Sequence, residues 1–410
     1  MNDTPHPPHF RWTVCALLFL ATTVNYIDRQ ILGILAAPLQ SELAWSEAQY
    51  GLIVTSFQVA YAIGLICFGR VIDIAGTRLG YTLAIGLWSL AATAHGFVRS
   101  AAGFAGARFV LGLGQAGNFP AAVKAVGEWF APNERAFAVG LFNSGSTVGA
   151  IITPLLVPWI ALRYGWQTAF IATGLAGLLW IPLWLLLYRR PSPIAQPSTT
   201  SRQSGWLTLL AYRQTWALLI ARLLTDPVWW FYLFWGPKFL QSRFGLTLDQ
   251  IGPPLVGIYL ISNAGGLFGG WLSSFLLKRG MSVNASRKLA ILACALLVVP
   301  VSFSTLLSST WAAVLVIGFA AAGHQGWSSN MFATIADIYP PHAVASASGL
   351  SGFGGAVGGM AAATFVGLLL EHTASYAIPF AYAGVSYLLI LLIIHIMIPR
   401  IAPIEEPRHA

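Results

Sequence analysis

The sequence predicts an all-α integral membrane protein with twelve transmembrane helices in two pseudo-symmetric six-helix bundles. Of its 410 residues, 57% are hydrophobic and only 9% are charged, and the mean hydropathy is +0.70. A backbone in lipid must satisfy its own hydrogen bonds, which leaves helices or a closed barrel. Apolar runs such as 175–187 and 382–398 lack the alternation of barrel strands, so helices remain.

Apolar runs and their interruptions divide the chain into twelve segments of roughly the 20 residues that cross a bilayer. These predicted spans are 13–37, 48–69, 78–98, 102–126, 135–160, 167–188, 214–240, 250–277, 288–308, 311–335, 344–370 and 375–398. The segment 189–213, rich in Pro, Ser and Thr, is typical of a linker. We therefore expect an N-terminal bundle over 1–188 and a C-terminal bundle over 214–410, joined by a cytoplasmic linker.

The distribution of Lys and Arg predicts the orientation of the chain in the membrane. The predicted outer loops and helix ends hold only Arg99, Arg163, Lys238 and Arg243, whereas most of the 22 basic residues fall on the opposite side. By the positive-inside rule, both termini should be cytoplasmic. The net charge of +9 follows from this topology and gives no reason to infer nucleic-acid binding.

Two adjacent ionisable residues, Asp28 and Arg29, lie inside the first predicted span. A charge at bilayer depth costs at least about 2.5 kcal/mol, so such residues usually line a water-filled path or bind a ligand. Consecutive helical residues point about 100° apart, so the two side chains should have different partners. A structural ion pair is the alternative, but nothing in it requires two charges here.

A loop motif at 69–78, GRVIDIAGTR, begins at the end of the second span, and a weaker echo, GWLSSFLLKRG at 270–280, includes the end of the eighth span. The first resembles the G-x-x-x-D-x-x-G-x-R pattern of the major facilitator superfamily. The resemblance covers the whole chain and implies the major facilitator fold. Asp73 and Arg78 can face helix ends and form an inner gate together with Arg70. The alternative is a solvated loop whose cations only set the topology.

Four further segments narrow the resemblance: NYIDR at 25–29, GLGQAGNFP at 112–120, NERA at 133–136 and TDPVWWFY at 225–232. They are similar to segments of the anion:cation symporter family, and in particular of bacterial hexuronate transporters. The resemblance implies proton-coupled uptake of a sugar acid, a hexuronate or aldonate, by alternating access across a bacterial inner membrane. We expect a monomer, with Glu134 and Arg135 of the NERA segment at the inner gate.

In that family, the arginine matched by Arg29 engages the substrate carboxylate, and the aspartate matched by Asp28 takes part in proton coupling. The family also places an arginine, matched by Arg108, beside a proton-exchanging glutamate whose position is occupied here by Gln115. An amide does not titrate. Coupling would then rest on Asp28 or be lost, which leaves an organic-anion exchanger or an uncoupled facilitator as the alternative.

Arg29 also favours an acidic substrate on chemical grounds, since a planar guanidinium binds a carboxylate through two parallel hydrogen bonds. Sugar hydroxyls need amides and hydroxyls, and the C–H face of a pyranose packs on aromatic rings. Candidates at the middles of spans are Tyr26, Gln58, Tyr61, Asn143, Ser144, Ser146, Trp229, Trp230, Tyr232, His324, Gln325, Trp327, Ser328 and Asn330. Of these, Tyr61 and Ser146 match substrate-contacting positions of the family. For each candidate, ordinary helix packing is the alternative.

The sequence lacks the motifs of the common enzyme and metal sites. It contains no HExxH, GxxxxGK[ST] or CxxC, and Cys15, Cys67 and Cys294 have no metal-binding spacing. We therefore expect no enzymatic activity, no cofactor and no metal site. The expected partners are a small anionic sugar acid, protons and the lipid bilayer, without nucleic acid.

Overall fold

The structure is a computed structural model, and it describes residues 10–130, 132–189 and 206–404, leaving out the side chains at 66, 73, 132–137, 206–207, 341–342 and 345–346. In these ranges the chain forms fourteen α-helices and one 3₁₀ segment, without a β-strand. They are α1 Phe10–Ile34, α2 Ala36–Leu43, α3 Glu47–His95, α4 Ala101–Gln115, α5 Asn118–Trp129, α6 Pro132–Tyr164, α7 Trp166–Leu187, α8 Trp206–Leu209, α9 Arg213–Phe244, α10 Gly252–Lys278, α11 Val283–Val298, the 3₁₀ segment Val299–Leu306, α12 Thr310–Ile338, α13 Pro341–Thr373 and α14 Ala377–Met397.

The prediction of an all-helical membrane protein is confirmed. Nine segments within the described ranges are long and apolar enough to cross a membrane: 10–34, 47–72, 138–164, 166–187, 213–244, 252–278, 283–306, 347–373 and 377–397. All twelve predicted spans fall on helical segments, which is consistent with the predicted number. The span predicted at 102–126 is divided into the 15-residue α4 and the 12-residue α5, each too short to cross a bilayer alone.

The second and third predicted spans form one continuous element, α3, which is kinked at Gly76. This residue has φ 78° and ψ 163°, a conformation essentially restricted to glycine. The loop predicted between the two spans is therefore a single-residue break between two helical arms. Gly76, the second glycine of the loop motif 69–78, provides the backbone freedom that this break requires.

Serine residues begin several of the helices. Ser46 forms a capping box with Gln49, in which the Gln49 N–H donates to Ser46 Oγ at 3.2 Å and the Ser46 N–H donates to Gln49 Oε1 at 2.9 Å. The hydroxyls of Ser100, Ser282 and Ser309 accept from the backbone N–H three residues later in the same way. These caps satisfy N–H groups that have no partner inside the helix.

The described residues form two compact units. The first comprises residues up to 189 together with 246–256, and the second comprises 206–245 and 257–404. In the first unit α3 packs against α4 and α7, and α1 packs against α6; in the second, α9 packs against α13 and α11 against α12. The domain boundaries predicted at 188 and 214 stay a prediction, because the linker between them falls mostly outside the described residues.

Helices α3 and α7 of the first unit approach closely at Gly174. A Cβ placed on this residue would lie 2.6 Å from Thr93 N and 2.7 Å from Ser89 O, both of them backbone atoms of α3. Backbone atoms cannot move aside as a flexible side chain can. A side chain at position 174 must therefore push the two helices apart.

We expect Gly174→Ala to lower the free energy of unfolding by about 1–3 kcal/mol, the usual cost of overpacking. Gly106→Ala on α4 is the matched control, because its Cβ would meet nothing within 4 Å. There, the better helix propensity of alanine should leave stability unchanged or slightly raised. Apparent melting temperatures of the purified proteins in detergent compare the two. Equal effects of both substitutions would contradict close α3–α7 packing.

Candidate functional site

The guanidinium of Arg29 is buried in the first unit, where the residue is only 6% exposed. Its Nε donates to Oε1 of Gln115 at 3.1 Å, and Nη2 donates to Oδ1 of Asn25 at 3.3 Å. Asn25 lies one turn earlier on α1, and Gln115 is the last residue of α4. Amide oxygens carry no net charge, so these two partners orient the guanidinium without neutralising it.

Three aromatic rings surround the same guanidinium. The ring centroids of Tyr61, Tyr26 and Phe57 lie 4.8, 5.1 and 5.4 Å from Arg29 Cζ. Phe57 and Tyr61 are themselves stacked, with centroids 5.7 Å apart. Each ring face attracts a cation by about 0.5–2 kcal/mol, depending on how far it is desolvated. The rings therefore stabilise a charge that burial alone would penalise.

Gln115 uses both ends of its amide. Besides accepting from Arg29, it donates from Nε2 to the backbone oxygen of Asn25 at 3.0 Å, and it is completely buried. A side chain at this position must both accept and donate a hydrogen bond. An amide does so at every pH, whereas a carboxyl group does so only while it holds its proton.

Asp28 points away from Arg29, as the helix geometry predicts. It is 1% exposed, and neither carboxylate oxygen has a hydrogen-bond partner within the described ranges. It faces the guanidinium of Arg108 and the hydroxyl of Thr173. That hydroxyl donates to the backbone oxygen of Phe170 at 3.2 Å. The carboxyl group is therefore buried beside a cation and a hydroxyl.

Arg108 lies beside both Asp28 and Arg29 of α1. It is fully buried, and its Nη1 donates to the backbone oxygen of Arg29 at 3.3 Å. Within the described part of the chain, Nε and Nη2 have no hydrogen-bond partner. One guanidinium thus contacts the backbone of Arg29 and faces the carboxyl of Asp28. The structure brings Arg29, predicted to dock the substrate carboxylate, together with the three residues predicted for proton coupling, Asp28, Arg108 and Gln115.

The remaining candidates of the first unit divide into two groups. Tyr26 and Tyr61 lie against Arg29, and the hydroxyl of Tyr26 faces Ser146, whose own hydroxyl donates to the backbone oxygen of Asn143 at 2.7 Å. These residues form one polar and aromatic cluster around the guanidinium. Gln58 is fully buried, and neither atom of its amide has a partner among the described residues.

In the second unit, Trp229 stacks on His324 with ring centroids 5.3 Å apart and planes inclined by 12°. Nδ1 of His324 is 2.6 Å from the hydroxyl of Tyr387, which also lies 3.3 Å from the backbone oxygen of Thr225. Trp230, the neighbouring candidate, stacks on Phe234 instead. The indole of Trp229 is thus held in place by a histidine that a tyrosine orients.

Other candidates of the second unit lie in its interior. Tyr232, Trp327 and Asn330 are buried, and Asn330 donates to the backbone oxygens of Gly269 and Gly326, both at 2.9 Å. The hydrogen bond to Gly269 joins α12 to α10, which is a packing role, and the bond to Gly326 lies within α12. Gln325 and Ser328 remain partly exposed. Substrate contact by any of the five stays a prediction.

Arg222 and Asp226 form an ion pair in α9, with Nη2 and Oδ2 2.9 Å apart. The guanidinium of Arg222 also lies 4.9 Å from the ring centroid of Phe332. Spacing of four residues brings such side chains together on one helix face. The pair therefore explains both charges without a part in transport.

The predicted inner gate is only partly within the described residues. Arg70 is exposed, and Arg78 donates to the backbone oxygen of Leu185, in the last turn of α7. A cation at a helix C-terminus is stabilised by the helix dipole. This contact lies inside the first unit. The side chains of Asp73, Glu134 and Arg135 fall outside the described residues, so the gate stays a prediction.

Comparison with known proteins identifies the family. The sequence profile of the Major Facilitator Superfamily matches residues 18–363. The chain belongs to this superfamily. Its members are transporters, so the chain is a multi-pass membrane transporter and not an enzyme. The resemblance inferred from the loop motif 69–78 is confirmed.

Two curated relatives and one solved structure refine this placement. The chain is 30% identical to the hexuronate transporter of Escherichia coli (strain K12), covering 96% of this chain and 95% of that one. It is 31% identical to the galacturonate transporter of Dickeya chrysanthemi, covering 76% and 95%. A bacterial homolog of the human lysosomal transporter Spinster, inward-facing and occupied, shares the fold with a TM-score of 0.78 at 18% identity, covering 95% of this chain and 96% of that chain.

Several residues of these clusters were not predicted from the sequence. Thr173 and the buried His95, both near the Asp28–Arg108 pair, lie at helix positions that carry no motif. Tyr387 lies in an almost wholly apolar helix, where a single tyrosine is an ordinary packing residue. Glu128 accepts from the hydroxyls of Thr77, at 2.7 Å, and Tyr188. Glu128 lies two residues beyond the predicted span 102–126, so the sequence carried no signal for this last cluster.

We expect Gln115→Met to destabilise the protein by about 1.5–3 kcal/mol, because a buried charged donor loses an acceptor. Methionine has similar length and no hydrogen-bonding amide. Gln214→Met on α9, where the side chain is partly exposed, is the control and should change stability little. Chemical or thermal unfolding in detergent measures both. If Gln115→Met leaves the stability unchanged, the amide does not hold Arg29.

Proposed function

We propose that this chain is a secondary active transporter that takes up a sugar acid, a hexuronate or an aldonate, together with a proton across the bacterial inner membrane. The support is a buried guanidinium framed by amides and aromatic rings, in a chain whose relatives carry the names hexuronate transporter and galacturonate transporter. Both termini are proposed to be cytoplasmic.

The observation that carries the proposal is the environment of Arg29. Its guanidinium can bind a carboxylate through two charge-assisted hydrogen bonds, which are roughly twice as strong as neutral ones. Tyr26 and Tyr61 present ring faces within about 5 Å of the same group, and such faces suit the C–H surface of a pyranose. An acid and a sugar ring can therefore be recognised at one place.

We propose Asp28 as the proton carrier and Arg108 as the link between proton and substrate. When Asp28 holds a proton it is neutral, and Arg108 is free to hold the backbone oxygen of Arg29. Loss of the proton creates a carboxylate that attracts Arg108, since opposite charges in a buried site interact strongly. The support for Arg29 then weakens and the acid is released.

The transport step is proposed to be alternating access, with the bundles 1–188 and 214–410 rocking about a site near the bilayer midplane. Asp73, Arg70, Arg78, Glu134 and Arg135 are proposed to close the inner side. One proton moving with one monovalent anion transfers no net charge. A membrane potential, worth about 2.3 kcal/mol per charge per 100 mV, should then leave such a cycle unchanged.

One observation favours a second function, the exchange of one organic anion for another. Gln115 holds Arg29 through a neutral amide that cannot titrate, in the position where the family carries a proton-exchanging glutamate. If Asp28 does not change its protonation during transport, uptake would require an anion moving outwards in return. The distinction rests on the response to a proton gradient.

We expect Arg29→Lys to weaken galacturonate binding about 10- to 150-fold, which corresponds to the roughly 1.5–3 kcal/mol of a charge-assisted hydrogen bond. Arg29→Ala should abolish binding. The control is Arg99→Lys, at an exposed position beside Trp166. Calorimetric titration of purified protein measures the affinities. Wild-type affinity in Arg29→Ala would remove the basis of the proposal.

Proteoliposomes with an inward proton gradient should accumulate labelled galacturonate above its external concentration. We expect Asp28→Asn to abolish this accumulation while exchange against galacturonate loaded inside continues, because the neutral amide imitates the protonated carboxyl. Asp249→Asn, in an exposed turn, is the control. If the wild-type chain ignores the gradient and responds only to internal galacturonate, it is an exchanger and Asp28 is not its proton carrier.

A further inference from the structure

A cavity of about 530 Å³ lies in the second unit between α9, α13 and α14. Its inner wall includes Val228 and Phe231, both buried. At its edge, Phe365 is 57% exposed, Ile378 50% and Tyr382 42%. The volume falls within the roughly 300–1,000 Å³ of small-molecule sites. None of these residues belongs to the clusters proposed for sugar-acid transport.

The described residues that line the cavity offer no free polar side chain to a ligand. Among them, only Tyr382 has a polar side chain, and its hydroxyl donates to the backbone oxygen of Leu224 at 2.7 Å. Pro227 has no N–H, so the backbone oxygen of Leu223 lacks its helical donor. A Cβ on Gly358 would collide with that oxygen, which shows that the Cα of Gly358 covers it.

This lining decides the chemistry of the occupant. Water needs two to four polar partners in a cavity, and a sugar acid needs more, so neither is suited to these walls. Hydrocarbon needs only van der Waals contact. The three helices that form the cavity are all long and apolar enough to cross a membrane, which places exposed side chains such as Phe365 against lipid tails.

We propose that this cavity, which forms a groove between α9, α13 and α14, binds an acyl chain of a bilayer lipid. A chain seated there packs against the turn of α9 that Pro227 deprives of a hydrogen bond. Helices bend most readily at such turns, so the occupant restrains the bend from the lipid side. The groove is thus a lipid site on α9, the helix that also carries Trp229 and the Arg222–Asp226 pair.

The test uses the full chain in vesicles of phosphatidylcholine that carries a diazirine in one acyl chain. After photolysis, mass spectrometry maps the labelled peptides. We expect the label to concentrate on α9 between 223 and 231 and on α13 between 357 and 366, above other exposed apolar faces such as that of α7. If every exposed apolar face is labelled in proportion to its exposure, the proposal is overturned. This comparison is made on the wild-type chain alone.

Two matched variants complete the test. Ala361→Phe fills the groove and should abolish the labelling of α9 and α13. Ala176→Phe adds the same side chain to an exposed position of α7 and should leave the labelling unchanged. Labelling that survives Ala361→Phe would overturn the proposal. A photo-crosslink between two copies of the chain at this groove would also overturn it, in favour of a dimer contact. Uptake of galacturonate is not measured, so the outcome is independent of the transport proposal.

Discussion

The first unit is organised around one constraint, the burial of the positive charge of Arg29. A cation at bilayer depth costs at least about 2.5 kcal/mol, and its surroundings must lower that cost. Two neutral amides and three aromatic rings contribute to that compensation. These neutral partners stabilise the charge without cancelling it. A carboxylate at position 115 would instead have cancelled the positive charge of Arg29.

The direct adjacency of Asp28 and Arg29 in sequence produces two separate environments in space. Because consecutive helical side chains diverge by about 100°, Arg29 reaches α3 and the end of α4, whereas Asp28 faces Arg108 and Thr173. Arg108 also donates to the backbone oxygen of Arg29. The two environments therefore differ in chemistry, and the guanidinium of Arg108 lies against both.

The sequence could predict the fold class and the residues of the charged cluster, because apolar run length and charges in hydrocarbon are read directly from the residues. It could not predict contacts that depend on how helices are rotated against each other. Gln115 reaches the backbone oxygen of Asn25 only because of the relative height of α1 and α4. In the same way, the rotation of α12 buries Trp327 and Asn330 and leaves Ser328 partly exposed. Polar residues on several faces of one helix carry no signal of which face turns inward.

The ionisable side chains of the two units differ in burial and in pairing. In the described part of the second unit, the partly exposed Asp226 is paired with Arg222 and the partly exposed Asp337 with Arg287. In the first unit, Asp28 and Arg108 are buried with hydrogen-bonding atoms that have no partner among the described residues. A satisfied pair resists change, since breaking it leaves an uncompensated charge. An unsatisfied pair gains hydrogen bonds when a proton or a side chain moves. Protonation is therefore expected to act on the first unit, whatever part the second takes in holding the sugar.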